Sequence, residues 1–105
     1  MLNQVIVVGR LTKDVEVIET DGKTRSYITL AVSRPYKNAD GEYGTDFIDC
    51  VLWDTVANNT AEYCHKGDII GVKGRIETFI NSEEKKVTQI VAEKISFLST
   101  KKNED

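Results

Sequence analysis

The chain is sparing with the residues that build specialised scaffolds: of its 105 residues one is proline, one histidine, one methionine and one tryptophan. Two cysteines, Cys50 and Cys64, lie far apart in the sequence. They are too few for a disulfide framework and, with the lone His65, do not supply the four ligands of a structural zinc site. Reduced thiols in a cytoplasmic protein are the expectation, with no metal and no cofactor. The apolar run Val5-Ile6-Val7-Val8 stops at Gly9-Arg10, short of a signal peptide or the roughly 20 residues of a membrane helix, so no membrane partner is expected. Positive charge is not in excess either. The formal net charge is −3 and the isoelectric point near 5.2, which excludes capture of a polyanion by a global positive field.

What is present is the composition of one ordinary folded domain, 40% hydrophobic and 30% charged. The charge is unevenly spread. Residues 1–38 carry six Lys or Arg against four Asp or Glu, residues 39–72 one against seven, and residues 73–105 seven against six. A basic surface can therefore be built from the first and last thirds.

Periodicity predicts five strands and one helix. The first strand covers residues 2–10, a β-branched run expected to be covered on both faces. After the turn signal Thr20-Asp21-Gly22-Lys23 comes a second over residues 26–33, ended by Pro35. Asn38-Ala39-Asp40-Gly41 marks the next turn. Strand three, residues 45–53, alternates with Ile48, Cys50 and Leu52 on one face and Phe47, Asp49, Val51 and Trp53 on the other. Asp54 or Thr55 is placed to cap a short helix to about residue 64, stopped by Gly67. Strands four and five follow over residues 68–80 and 86–98, and residues 99–105 form a polar tail. Three strands, a helix and two strands is the order of an all-β, five-stranded OB barrel over residues 1–98, with a sandwich as the alternative.

The chemistry sits on strand three. Its core face is already furnished, so Phe47 and Trp53 point outward, where aromatic rings stack on nucleic-acid bases or fill protein interfaces. Lys73 and Arg75 are expected to share a face with Phe79 on strand four, and Arg34, Tyr36 and Lys37 repeat the pairing of cation and aromatic after strand two. Both clusters suit phosphates beside bases. No enzyme site is expected. Asp46 and Asp54 lie on the face opposite Asp49, and Cys64-His65 lacks an orienting group.

Several blocks resemble the bacterial and phage-type single-stranded DNA-binding proteins. They are the opening residues Met1 to Asp14, Thr29-Leu30-Ala31-Val32, Asp46 to Trp53, and Lys66-Gly67-Asp68 through Gly74-Arg75-Ile76, in family order along nearly the whole chain. The resemblance implies an OB-fold subunit, a homotetramer built as a dimer of dimers, and coating of single-stranded DNA without sequence preference in replication, recombination and repair. It places stacking aromatics at Tyr36, Phe47 and Trp53. With Phe79, Arg34, Lys37, Lys73, Arg75 and Arg10 these make up the expected DNA-binding set, with no small-molecule substrate. The rival reading is an OB-fold assembly adaptor of primosome type, using the same aromatic face for protein contacts. Three departures stand out. Val15 replaces a frequent proline, Asn81 falls where the family has a further aromatic, and Lys101-Lys102-Asn103-Glu104-Asp105 is not the family's acidic partner-docking tail. Phe79 is the expected substitute at Asn81, and no tail-dependent partner is expected.

Overall fold

The computed structural model describes residues 1–99, so most of the tail expected at 99–105 lies outside the described residues. Six strands and one helix follow in the order β1 (Val5–Leu11), β2 (Ile18–Thr20), β3 (Lys23–Lys37), β4 (Tyr43–Trp53), α1 (Asp54–Tyr63), β5 (Ile69–Ile80) and β6 (Lys86–Ser99). The pairings run β1-β5-β6-β4-β3, and β1 returns to β3 at Arg10–Ala31 and Leu11–Leu30. Five strands thereby form a closed ring in which β4 and β6 alone run parallel. This is the OB arrangement expected from the element order, with one addition. Strand β2 flanks β3, joined by a two-residue turn whose Asp21 and Gly22 both have positive φ (53° and 76°), the backbone that suits the twist of a tight hairpin.

A ring one strand thick gives every strand an inner and an outer face, and period-two alternation sorts the side chains between them. Ile28, Leu30, Cys50, Leu52, Ile70, Val72 and Ile90 meet inside, closed at one end by Ala57 and Cys64. Full burial of each Leu or Ile stabilises the fold by about 1.5–3 kcal/mol. Burial also pushes the Cys50 and Cys64 thiols up to about 11, so both stay neutral near pH 7 and neither is a nucleophile.

Local details differ from expectation in four places. The run in β1 is covered on one face only: Val5 and Val7 pack on the core, while Ile6 and Val8 are exposed. Pro35 does not end its strand. The β3–β4 register is irregular between Ser33 and Lys37, where a residue without an N–H leaves no ladder bond unmade. Asp54 does not cap α1. It lies at φ 50° as the first helical residue, and its Oδ1 accepts from the Thr24 N–H at 3.4 Å. The helix stops at Tyr63, before Gly67, because Cys64 is already extended. Gly67 instead turns the chain at φ 94° and donates its N–H to the Leu11 carbonyl at 2.9 Å.

Gly74 marks the tightest point of the wall. The β5–β6 register shifts between Lys73 and Gly74, and a Cβ on Gly74 would run into the Val91 carbonyl, whereas one on Gly71 would meet only ordinary contacts from 3.6 Å. Gly74→Ala is therefore expected to lower unfolding stability by about 1–3 kcal/mol or more, and Gly71→Ala by less than about 0.5 kcal/mol. Urea denaturation of both variants measures the contrast.

Candidate nucleic-acid interface

The outer face of β3 and β4 carries a ladder of directly opposed pairs: Ala31 with Phe47, Thr29 with Asp49, Tyr27 with Val51, and Arg25 with Trp53. Phe47 is 67% exposed and Trp53 37%, so β4 presents aromatic rings outward while Cys50 and Leu52 face the core. Ala31 is small, and beyond it the row continues to Arg10 on β1. A groove crosses this face. One part, about 290 Å³, is lined by Lys13, Tyr27, Thr29, Asp49, Phe79 and Gln89. A second part, about 320 Å³, is lined by Phe47, Asp49, Ile76, Thr88 and Gln89. They share Asp49, Thr88 and Gln89, so the path runs from Phe79 and Tyr27 to Phe47. Thr29 Oγ1 donates to Asp49 Oδ1 at 2.7 Å, which engages the carboxylate that faces the groove.

Two long hairpins extend the face. At the tip between β3 and β4, the Asn38 Oδ1 accepts from the Asp40 and Glu42 N–H groups, and Gly41 takes φ 80°. Between β5 and β6, the Asn81 Oδ1 accepts from Glu83 and Lys85 in the same manner, with Glu84 at φ 61°. Both are closed by an asparagine that mimics a turn. This accounts for Asn81 where an aromatic would fall: its side chain is committed to the backbone, and the exposed ring of that arm is Phe79, one of the groove's own lining residues.

The cations sort differently from the sequence expectation. Tyr36 is exposed on the first arm, and the Lys37 ammonium lies 5.6 Å from the centre of the Tyr43 ring. Arg34 makes a two-pronged contact with Asp46, Nη2 to Oδ1 at 2.7 Å and Nε to both oxygens at 3.1 Å. That bond lowers the Asp46 carboxyl and raises the Arg34 guanidinium from their ordinary values. Arg75 is held by Glu93 at 2.9 Å and Glu77 at 2.8 Å. Lys73 stands apart from Phe79, beside Ile6, Val8 and Lys94 on the β1–β5–β6 surface. Arg10 donates Nη1 to the Gly67 carbonyl at 2.7 Å. The expected cluster of Lys73, Arg75 and Phe79 is therefore not assembled, because Arg75 is held by the acids Glu77 on β5 and Glu93 on β6. Sequence reading also passed over Tyr43, which exposes its ring on the first arm, and over Arg25 and Tyr27. The guanidinium of Arg25 lies 5.8 Å from the Tyr27 ring centre and 6.0 Å from that of Trp53. Alternation places Tyr27 outward; only the strand register sets Arg25 against Trp53.

The model of the single-strand binding protein family matches residues 2–98. The chain belongs to that family. It is 44% identical to single-stranded DNA-binding protein B of Bacillus subtilis, over 99% of this chain and 96% of that protein. It is 47% identical to a single-stranded DNA-binding protein of Halalkalibacterium halodurans, over 93% of this chain and 61% of that one. Among solved structures, a deletion mutant of the single-stranded DNA binding protein from Thermus aquaticus superposes with a TM-score of 0.78 at 27% identity. That match covers 93% of this chain, which spans about half the length of the Thermus chain. Family membership places the protein among binding proteins rather than enzymes. Among the described residues no group of three or more His, Cys, Asp or Glu is placed to hold a metal ion, and no helix is long and apolar enough to cross a membrane.

Because Phe47 is largely exposed, Phe47→Ala is expected to change unfolding stability by less than about 0.5 kcal/mol in a urea melt. A loss of several kcal/mol would reassign the ring from the groove to the packing of the fold.

Proposed function

We propose that the chain binds single-stranded DNA without sequence preference in the cytoplasm, laying the strand along the outer face of β3 and β4. The observation that carries this reading is the exposed aromatic row of Phe47 and Trp53 on a strand whose inner face is already filled, opening onto a groove edged by Phe79 and Tyr27. Every base offers a π-face whatever its identity, so stacking is tolerant of sequence. Tyr36 continues the row on the β3–β4 arm. Phosphate contacts come from cations along that route with no carboxylate partner among the described residues, among them Lys37 and, beside Ala31 and Phe47, Arg10. Arg34 and Arg75 hold the arms in shape through their acids. The family's established setting in replication, recombination and repair follows from protecting exposed strands.

The subunit is proposed to assemble as a homotetramer, a dimer of dimers. Strand β1 pairs with β5 over Val5–Arg10 but meets β3 only at Arg10 and Leu11, which leaves an open edge along its first residues. Ile6, 69% exposed, and Val8 stand beside Leu98 on the adjoining outer face. An unpaired edge next to apolar side chains is a pairing hazard that a twofold mate removes.

Titration with oligo-dT is expected to quench Trp53 fluorescence to saturation, with log affinity falling against log salt by about 0.7 per phosphate neutralised. Phe47→Ala should weaken binding by about 1–3 kcal/mol. Absence of quenching together with absence of a gel shift at low salt would reject the DNA reading. Light scattering should give a particle of four times the 11.8 kDa chain mass, reduced by Ile6→Asp; a wild-type monomer would reject the assembly.

A further inference from the structure

The chain has four arginines, and three of them are hydrogen-bonded within the protein. Arg34 is neutralised by Asp46, Arg75 by Glu77 and Glu93, and Arg10 is bound to the Gly67 carbonyl. Arg25 is the exception. Among the described residues no carboxylate pairs with it, and its partners are two aromatic faces, Tyr27 at 5.8 Å and Trp53 at 6.0 Å. The neighbouring carboxylate of Asp54 is turned instead to the Thr24 N–H. Arg25 Nε is buried without a hydrogen-bond partner, so the fold holds this side chain against the rings although one donor goes unmet, at a cost.

We propose that Arg25 is the phosphate anchor at the Trp53 end of the DNA path, gripping the phosphodiester beside the nucleotide whose base stacks on Trp53. The proposal rests on the single-strand reading above and adds to it a residue and a contact. Direct cross-strand pairing with Trp53 fixes Arg25 on the same outer face. The two rings orient the planar guanidinium by cation–π attraction while leaving its charge uncompensated. A planar fork held in this way is suited to the paired oxygens of a phosphate, which a lysine meets only as a point charge. Trp53 lies six residues from Phe47, roughly 20 Å along the strand. An anchor there carries the DNA path past the groove to the end of β4.

The test is anisotropy of a fluorescein-labelled dT oligonucleotide across a salt series, a readout independent of Trp53 emission. Arg25→Gln is expected to weaken binding roughly tenfold at low salt and to flatten the log–log salt slope by about 0.7. Arg25→Lys should keep the wild-type slope yet bind more weakly, since the charge stays and the oriented fork is lost. Glu62→Gln, an exposed change on α1, should leave the slope unchanged. An unaltered slope in Arg25→Gln, or wild-type affinity in Arg25→Lys, overturns the proposal while the single-strand reading stands. Failure of the wild-type chain to bind any oligonucleotide overturns that reading and the anchor with it.

Discussion

Everything in this molecule depends on a wall one strand thick. In such a wall a residue cannot choose its environment independently of its neighbours, because successive side chains leave on opposite faces. Filling the interior with Ile48, Cys50 and Leu52 on β4 obliges the residues between and beside them to face out. Hydrophobic side chains at outward positions are then either covered by neighbours on that face, as Val51 is, or left exposed. The protein carries two such sets, Phe47 and Trp53 on β4 and Ile6 and Val8 on β1. Singly exposed apolar residues are commonplace on protein surfaces, but rows of them mark binding faces. The two sets lie on different stretches of the ring, which lets one serve a ligand and the other a second copy of the chain.

Charge is handled with the same economy. A net charge of −3 is no obstacle to a polyanion when the acids are engaged locally. Asp46 is tied to Arg34, Glu77 and Glu93 to Arg75, and Asp49 accepts from Thr29. These exposed pairs add little to stability. Their consequence is electrostatic: Arg34 and Arg75 are offset by acids on the arms, while Lys13, Lys37, Arg10 and Arg25 have no ion pair among the described residues. Counting lysines and arginines therefore overstates the basic surface, and counting acids overstates the repulsion.

The strands and the outward placement of Phe47 and Trp53 were legible because both follow from alternation. Inward Cys50 and Leu52 and outward Phe47 and Trp53 can be read from β4 without any knowledge of its neighbours. What alternation does not carry is register. Arg75 and Phe79 have the same parity, yet Arg75 pairs with acids, Glu77 beside it on β5 and Glu93, which the register shift sets against it from β6. Arg25 and Trp53 are 28 positions apart, and only the β3–β4 ladder sets one against the other. Asp54 has the residue type of a helix cap, but a tertiary partner, the Thr24 N–H, takes its carboxylate. Pro35 is a strand breaker by type and is tolerated because the ladder is already irregular around it. Asp54 and Arg25 were missed because a contact between distant segments decided their place.

The hairpin arms show how such a surface is kept usable. A strand pair projecting beyond the barrel has little core to hold it, and isolated two-stranded hairpins are marginal in water. Here the tips are closed by Asn38 and Asn81, whose side-chain carbonyls each take two backbone N–H groups. Nearer the barrel, Arg34 clamps β3 to Asp46 of β4. The aromatic rings Tyr36 and Tyr43 lie between the turn and that clamp, fixed at both ends of the arm yet exposed along it. Polar bonds thus set the geometry of the arm while Tyr36 stays exposed and the Tyr43 ring meets the Lys37 ammonium rather than the core, so neither ring is spent on holding the barrel together.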